Sequence, residues 1–138
     1  MVTGAVHLWQ PILLCPEILN IFYLDFNREL LKWRVEIFGY VVMPEHFHSL
    51  LYSEMGENIR NFIHGFRRSV SGRAKKIIQS ANTDFQKYCL ARGADTALFF
   101  ERTAGKSEFR FWKEKPRAFA IKNEEDFYRK LNYIHNNP

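Results

Sequence analysis

Residues 34–52, RVEIFGYVVMPEHFHSLLY, constrain the fold more than any other stretch of the chain. The first part, RVEIFGYVVM, is β-branched and aromatic, and apolar on both faces after Glu36, which suits a central strand. Pro44 removes a ladder donor and ends it. HFHSLLY, at 46–52, reads as the returning strand, so 34–52 is predicted to be a β-hairpin. Helical patterns flank it. Pro16 and Glu17 open the first, with Pro suited to the first turn, and Leu19, Phe22, Phe26, Leu30 and Trp33 follow at three- and four-residue steps. The second runs from Asn58, a fair N-cap, to Gln79. Its stripe is Ile59, Phe62, Ile63, Phe66, Val70, Ala74, Ile77 and Ile78, with Gly65 and Gly72 weakening its middle.

Beyond it, residues 80–107 are poorly periodic, and ANTD and ARGADT read as loops. FRFWKEKPRAFAI (109–121) reads as a strand pair, or an edge strand interrupted at Pro116. The terminal NEEDFYRKLNYIHNNP reads as a helix. Asn123 caps it, Asp126 stands at the capping-box position, and Glu124 and Glu125 suit the positive end of the dipole. Phe127, Leu131 and Ile134 form its buried stripe, and Pro138 ends the chain. With a short strand in MVTGAV before the first helix, the order predicts an α+β fold. It is a ferredoxin-like split βαβ sandwich, an antiparallel sheet with helices packed on one face. At 138 residues a single domain is expected.

A hydrophobic fraction of 46% argues against a disordered chain. No apolar run approaches the roughly 18 residues of a spanning helix, so no membrane partner is expected. The N-terminus lacks the basic start and apolar stretch of a signal peptide. Cys15 and Cys89 are in no metal-like spacing, and the reading is a cytoplasmic protein with structural thiols. Lys and Arg number 20 against 15 Asp and Glu. That excess favours a polyanionic partner. A basic protein without one is the other reading.

Within the hairpin, His46 and His48 are two apart, which in a strand puts them on one face about 6.5–7 Å apart along the chain. Phe47 points into the opposite layer. One divalent cation held by two imidazoles is a natural use of this spacing, and an ordinary hydrogen-bonded pair is the alternative. Leu50 fills the place of a third histidine. A two-histidine site leaves positions open for a substrate oxygen and wants a harder ligand and a reacting group. On the last helix Tyr133 and Asn137 are four apart and share a face, while Tyr128 lies well round the helix. A tyrosine packing at the core edge is the other reading of Tyr133. His135 falls on an exposed face, and His7 and His64 read as ordinary.

GYVVMPEHFHSLL, FW some ten residues before IKNEEDF, and LNYIHNNP, in this order over residues 35–138, resemble the REP-associated tyrosine transposases. These belong to the HUH (His-hydrophobic-His) single-strand DNA transposases. The resemblance implies a ferredoxin-like nuclease domain in which His46 and His48 hold Mg2+ or Mn2+ and Asn137 is the third metal-side group. It implies that Tyr133 attacks a phosphodiester of single-stranded or hairpin DNA, giving a 5′-phosphotyrosine link and a free 3′-hydroxyl. The chain then acts as monomer or homodimer. Glu45 stands where many relatives have Asn, and the chain is short at both ends relative to the family. Phosphate contacts are expected from Arg67, Arg68, Arg73, Lys113, Lys115 and Arg117, with Phe111 and Trp112 stacking on unpaired bases. A solvated basic face is the other reading of these charges. Two further functional readings stand: a non-catalytic nucleic-acid-binding domain of the same fold, and an unrelated metal-dependent hydrolase using His46 and His48.

Overall fold

The computed structural model describes residues 1–80, 82–103 and 105–137. Ala81, within ANTD, and Pro138, at the predicted chain end, lie outside the described residues. A four-residue strand, β1 (Val2–Ala5), is followed by a 3-10 turn at His7–Trp9. Helix α1 (Pro16–Trp33) begins at the proline and ends at Arg34, whose left-handed backbone (φ 51°) closes the helix end. Strands β2 (Glu36–Val42) and β3 (His46–Tyr52) form the predicted hairpin. Helix α2 (Gly56–Gln79) starts two residues before the predicted Asn58, with Met55 at the N-cap and no side-chain cap bond.

The 80–107 region is more ordered than its periodicity suggests. Helix α3 (Thr83–Arg92) is capped by Asn82, whose side chain accepts from the Phe85 amide at 3.0 Å, and closed by Gly93 at φ 71°. The two segments that read as loops are thus the two ends of one helix. Phe85 and Cys89, four apart, are its buried contacts. Strands β4 (Phe100–Thr103) and β5 (Lys106–Phe109) pair as a separate hairpin. After them comes a two-residue strand, β6 (Arg117–Ala118), and last α4 (Glu124–His135).

The main sheet has the order β2-β3-β1-β6, antiparallel throughout. This is the sheet order of the predicted split βαβ sandwich, with β6 as the edge strand after Pro116. Helices α1 and α2 cover one face. Between them and the sheet lies an aromatic core: Phe22 meets Phe47 and Phe66 edge to face at 5.2 and 4.9 Å, and Phe26 meets Phe62 at 5.1 Å. The terminal helix does not join them. Phe38 meets Phe127 of α4 at 5.4 Å, while Tyr40, farther along the same strand, meets Tyr23 of α1 at 6.0 Å. Phe38 and Tyr40 are two apart and would share a face in a regular strand; the register shift between Ile37 and Gly39 puts Phe38 and α4 on the face opposite Tyr40, α1 and α2.

Gly65 and Gly72 differ in kind. A Cβ at Gly65 would lie 2.6 Å from Oε2 of Glu29, a buried carboxylate that accepts from the Trp33 indole at 2.8 Å. A Cβ at Gly72 would meet nothing within 4 Å. Gly72→Ala is expected to stabilise the fold by about 0.5–1 kcal/mol through the unfolded chain. Gly65→Ala is expected to destabilise it by about 1–3 kcal/mol by crowding the α1–α2 contact. Urea unfolding reads both, and a Gly65→Ala chain as stable as the unaltered one or more so would show that α2 does not need its glycine at Glu29.

Candidate active site

Alternation along β3 builds the site. Phe47 points into the core and is 3% exposed. It needs Gly4 opposite on β1, where a Cβ would fall 2.3 Å from its ring. With Phe47 fixed, His46 and His48 project from the other face, under α4. Their rings lie 4.9 Å apart, nearly perpendicular at 78°. Leu50, the next residue on that face, is fully buried and apolar.

Each imidazole has one nitrogen engaged. His48 Nδ1 lies 2.8 Å from the Thr3 hydroxyl, its cross-strand neighbour on β1. His46 Nδ1 lies 3.1 Å from Glu45 Oε1. In the tautomers where Nδ1 donates, both Nε2 atoms keep their lone pairs. A hydroxyl or carboxylate holding the far nitrogen is the arrangement that orients metal-ligating histidines. Burial, and then the neighbouring His46, holds His48 below the ordinary imidazole value. Neutral imidazole is the form that ligates.

Helix α4 brings the tyrosine. Its N-terminus is fixed by Asn123, whose side chain accepts from the Asp126 amide at 2.8 Å. Asp126 is buried, and its carboxylate accepts from Lys130 at 2.8 Å, the Lys122 amide at 3.1 Å and Arg129 at 2.5 Å. It thus reaches one residue beyond the capping-box amide. These partners hold it well below the usual carboxylate range, Lys130 foremost. Leu131 and Ile134 rest on Gly39, where a Cβ would be 3.0 Å from Leu131. A bulge at Phe38, between the pairs Ile37–Leu51 and Gly39–Leu50, turns both Phe38 and Gly39 toward α4. The Tyr133 ring then meets His48 edge to face at 5.2 Å, with its hydroxyl 3.5 Å from His48 Nε2. That is long for a hydrogen bond. The side chain is half exposed, at 51%.

Asn137 lines a shallow groove with Arg129, Asn132, Tyr133 and Asn136, in which neither imidazole takes part. Tyr128 is exposed and packs edge to face on Phe127. Among the described residues, no third His, Cys, Asp or Glu is grouped with the pair so as to hold a metal ion; Glu45 meets the far nitrogen of His46.

The basic residues divide. Arg68, Lys113, Lys115 and Arg117 are exposed. Arg67 is half-buried and donates to the backbone carbonyls of Lys113 and Glu114. Arg73 donates to the buried carboxylate of Asp25 at 2.6 Å. Phe111 and Trp112, expected to stack on bases, are core residues, 1% and 6% exposed. Phe111 stacks on Phe99, and the Trp112 indole donates to the Arg67 carbonyl at 3.0 Å. Alternation in a short aromatic run did not reveal that both side chains are covered. Thr3 and Trp9 were also missed. Thr3 meets His48 only through strand pairing, and Trp9 lies 5.6 Å from the His46 ring.

Two solved structures share this fold. One is a REP-associated tyrosine transposase bound to a REP hairpin, 15% identical with a TM-score of 0.61, the match covering 97% of this chain and 62% of that one. The chain thus spans less than two thirds of that protein. The other is a crystal structure of a candidate transposase from Deinococcus radiodurans R1. It is 15% identical with a TM-score of 0.56, and the match covers 98% of this chain and 86% of that one. No family model and no curated protein matches the chain.

Proposed function

We propose that the chain is a metal-dependent endonuclease and strand transferase acting on single-stranded or hairpin DNA, with Tyr133 as nucleophile. The observation that carries this reading is the Tyr133 hydroxyl, 3.5 Å from His48 Nε2, the imidazole nitrogen that Thr3 leaves free. His46 and His48 would hold Mg2+ or Mn2+ through their Nε2 atoms, with Asn137 as the third polar group. The cation would supply charge neutralisation at a phosphate oxygen.

The rest falls to this chain's own residues. Helix α4 holds the Tyr133 hydroxyl at the mouth of the site, half exposed, where a strand can approach. Attack by the phenolic oxygen on phosphorus forms the Tyr–O–P bond and breaks the bond to the 3′-oxygen. The phenol loses its proton and the 3′-oxygen gains one. The 5′-phosphotyrosine link keeps the bond energy, so the strand can be rejoined without another energy source. The likeness in fold to a transposase bound to a REP hairpin supports this substrate class.

A second reading, a non-catalytic nucleic-acid-binding domain, is favoured because, among the described residues, no third acidic, histidine or cysteine side chain is placed to hold a metal ion together with the pair. Labelled hairpin DNA separates the two. Nicking that requires Mg2+ or Mn2+ and leaves a covalent adduct is expected. Binding without cleavage in either metal would favour the second reading.

The hydroxyl behind His48 makes a finer test. Thr3→Val keeps a β-branched side chain in β1 but removes the partner of Nδ1. It is expected to weaken Mn2+ binding about 10- to 100-fold with the fold unchanged. Equal affinity, read by calorimetric titration, would mean that Thr3 does not orient the imidazole.

A further inference from the structure

We infer that Trp9 is a nucleobase-stacking platform beside the His46/His48 pair; this rests on the reading of that site as one that handles single-stranded DNA. Leu8 and Trp9 are both exposed, at 55% and 53%, in a chain whose other tryptophans are more covered. Both hold left-handed backbone conformations, φ 52° and 55°. Such conformations are uncommon for bulky residues and persist only where the surroundings over-determine them.

The surroundings here do so. The His7 amide donates to the Phe111 carbonyl at 2.8 Å, and the Trp9 amide to the Val6 carbonyl at 3.0 Å. The Leu13 amide donates to Pro44, and the Val6 amide to Glu45, both at 2.8 Å, so the segment is tied to the turn that carries His46. Gln10 receives the Asp95 amide at 2.7 Å. His7 Nε2 also lies 2.6 Å from Glu101, close but out of line for a hydrogen bond. The strain is held in place by bonds on both sides, and its result is an indole turned to solvent.

That indole is not isolated. Its ring meets the His46 ring at 5.6 Å, and the Lys113 ammonium lies 5.9 Å from its centroid. Lys113 is itself tied to the site, its amide donating to the Ala5 carbonyl opposite His46. An exposed indole, a cation over its ring and a candidate metal pair in contact form the combination that binds an unpaired nucleotide: base on the aromatic, phosphate on the cation. Phe111 and Trp112, buried, do not offer such a ring.

The test compares two probes of equal charge, a twelve-nucleotide oligothymidylate and a twelve-unit abasic deoxyribose phosphate. The unaltered protein is expected to bind the first at least about tenfold more tightly. Trp9→Ala should erase most of that preference while keeping the salt dependence of binding, and Trp9→Phe should restore part of it. A preference that survives Trp9→Ala, or none in the unaltered protein, overturns the platform alone. No binding of either probe by the unaltered protein overturns the functional reading and the platform with it.

Discussion

His48→Ala is expected to abolish Mg2+- and Mn2+-dependent cleavage, a loss on the order of 10³-fold or more, with the fold retained. His48 is 7% exposed, but it lies on the α4 face of β3 and is not among the aromatic core residues. Truncation removes a ring that touches His46, Thr3 and Tyr133, and leaves Phe47, which anchors the strand, in place. His48→Gln, closer in size, controls for packing. The pH dependence follows from the same burial. The folded chain favours the neutral ring, so the contribution to stability is present above the ordinary imidazole value of about 6.5. It is lost as pH falls through the lower folded value. Metal affinity is expected to hold at neutral pH and fall in the acid range below it. Cleavage by His48→Ala at the unaltered rate, or Mn2+ affinity indifferent to acid, would rule out the imidazole as a ligand.

Tyr133→Phe tests the other half of the site. The substitution keeps the ring, and so the 5.2 Å edge contact with His48, and deletes only the hydroxyl. Folding, metal binding and DNA binding are expected to stay within twofold or so, since a hydroxyl on a half-exposed side chain, 3.5 Å from its partner, contributes little net stability. Cleavage and the covalent adduct are expected to disappear. The same change at Tyr128, which packs on Phe127 and has no contact with the imidazoles among the described residues, is expected to leave cleavage intact. Equal loss at both positions would point to helix packing rather than nucleophilicity.

Much of the frame was legible because local pattern and tertiary burial agree. Pro16 and the Phe22–Phe26–Leu30 stripe give α1, and the β-branched run broken at Pro44 gives the hairpin. The same-face placement of His46 and His48 follows from strand periodicity alone. What was illegible depends on contacts distant in sequence. Thr3 reaches His48 across strands, and the side of the sheet taken by α4 is set by Gly39 and the Phe38 bulge. Helix α3 was missed because Phe85 and Cys89 are too few to make a stripe, although Asn82 and Gly93 are sound end signals. The burial of Phe111 and Trp112 reflects α2 and the 96–99 turn closing over them. The left-handed pair at Leu8 and Trp9 carries no sequence mark, since neither is a residue that favours it.

The central claim is that Tyr133 takes the phosphate, and mapping the adduct tests it directly. The protein is incubated with hairpin DNA and Mn2+, the DNA trimmed with nuclease, and the chain cut with trypsin. Cleavage after Arg129 and Lys130 separates the two tyrosines of α4, leaving Tyr133 as the only tyrosine in the peptide that begins at Leu131. Fragmentation is predicted to place a nucleoside phosphate on Tyr133. A nucleotide on Tyr128 or any other side chain, or nicked DNA with no protein attached, would contradict the account.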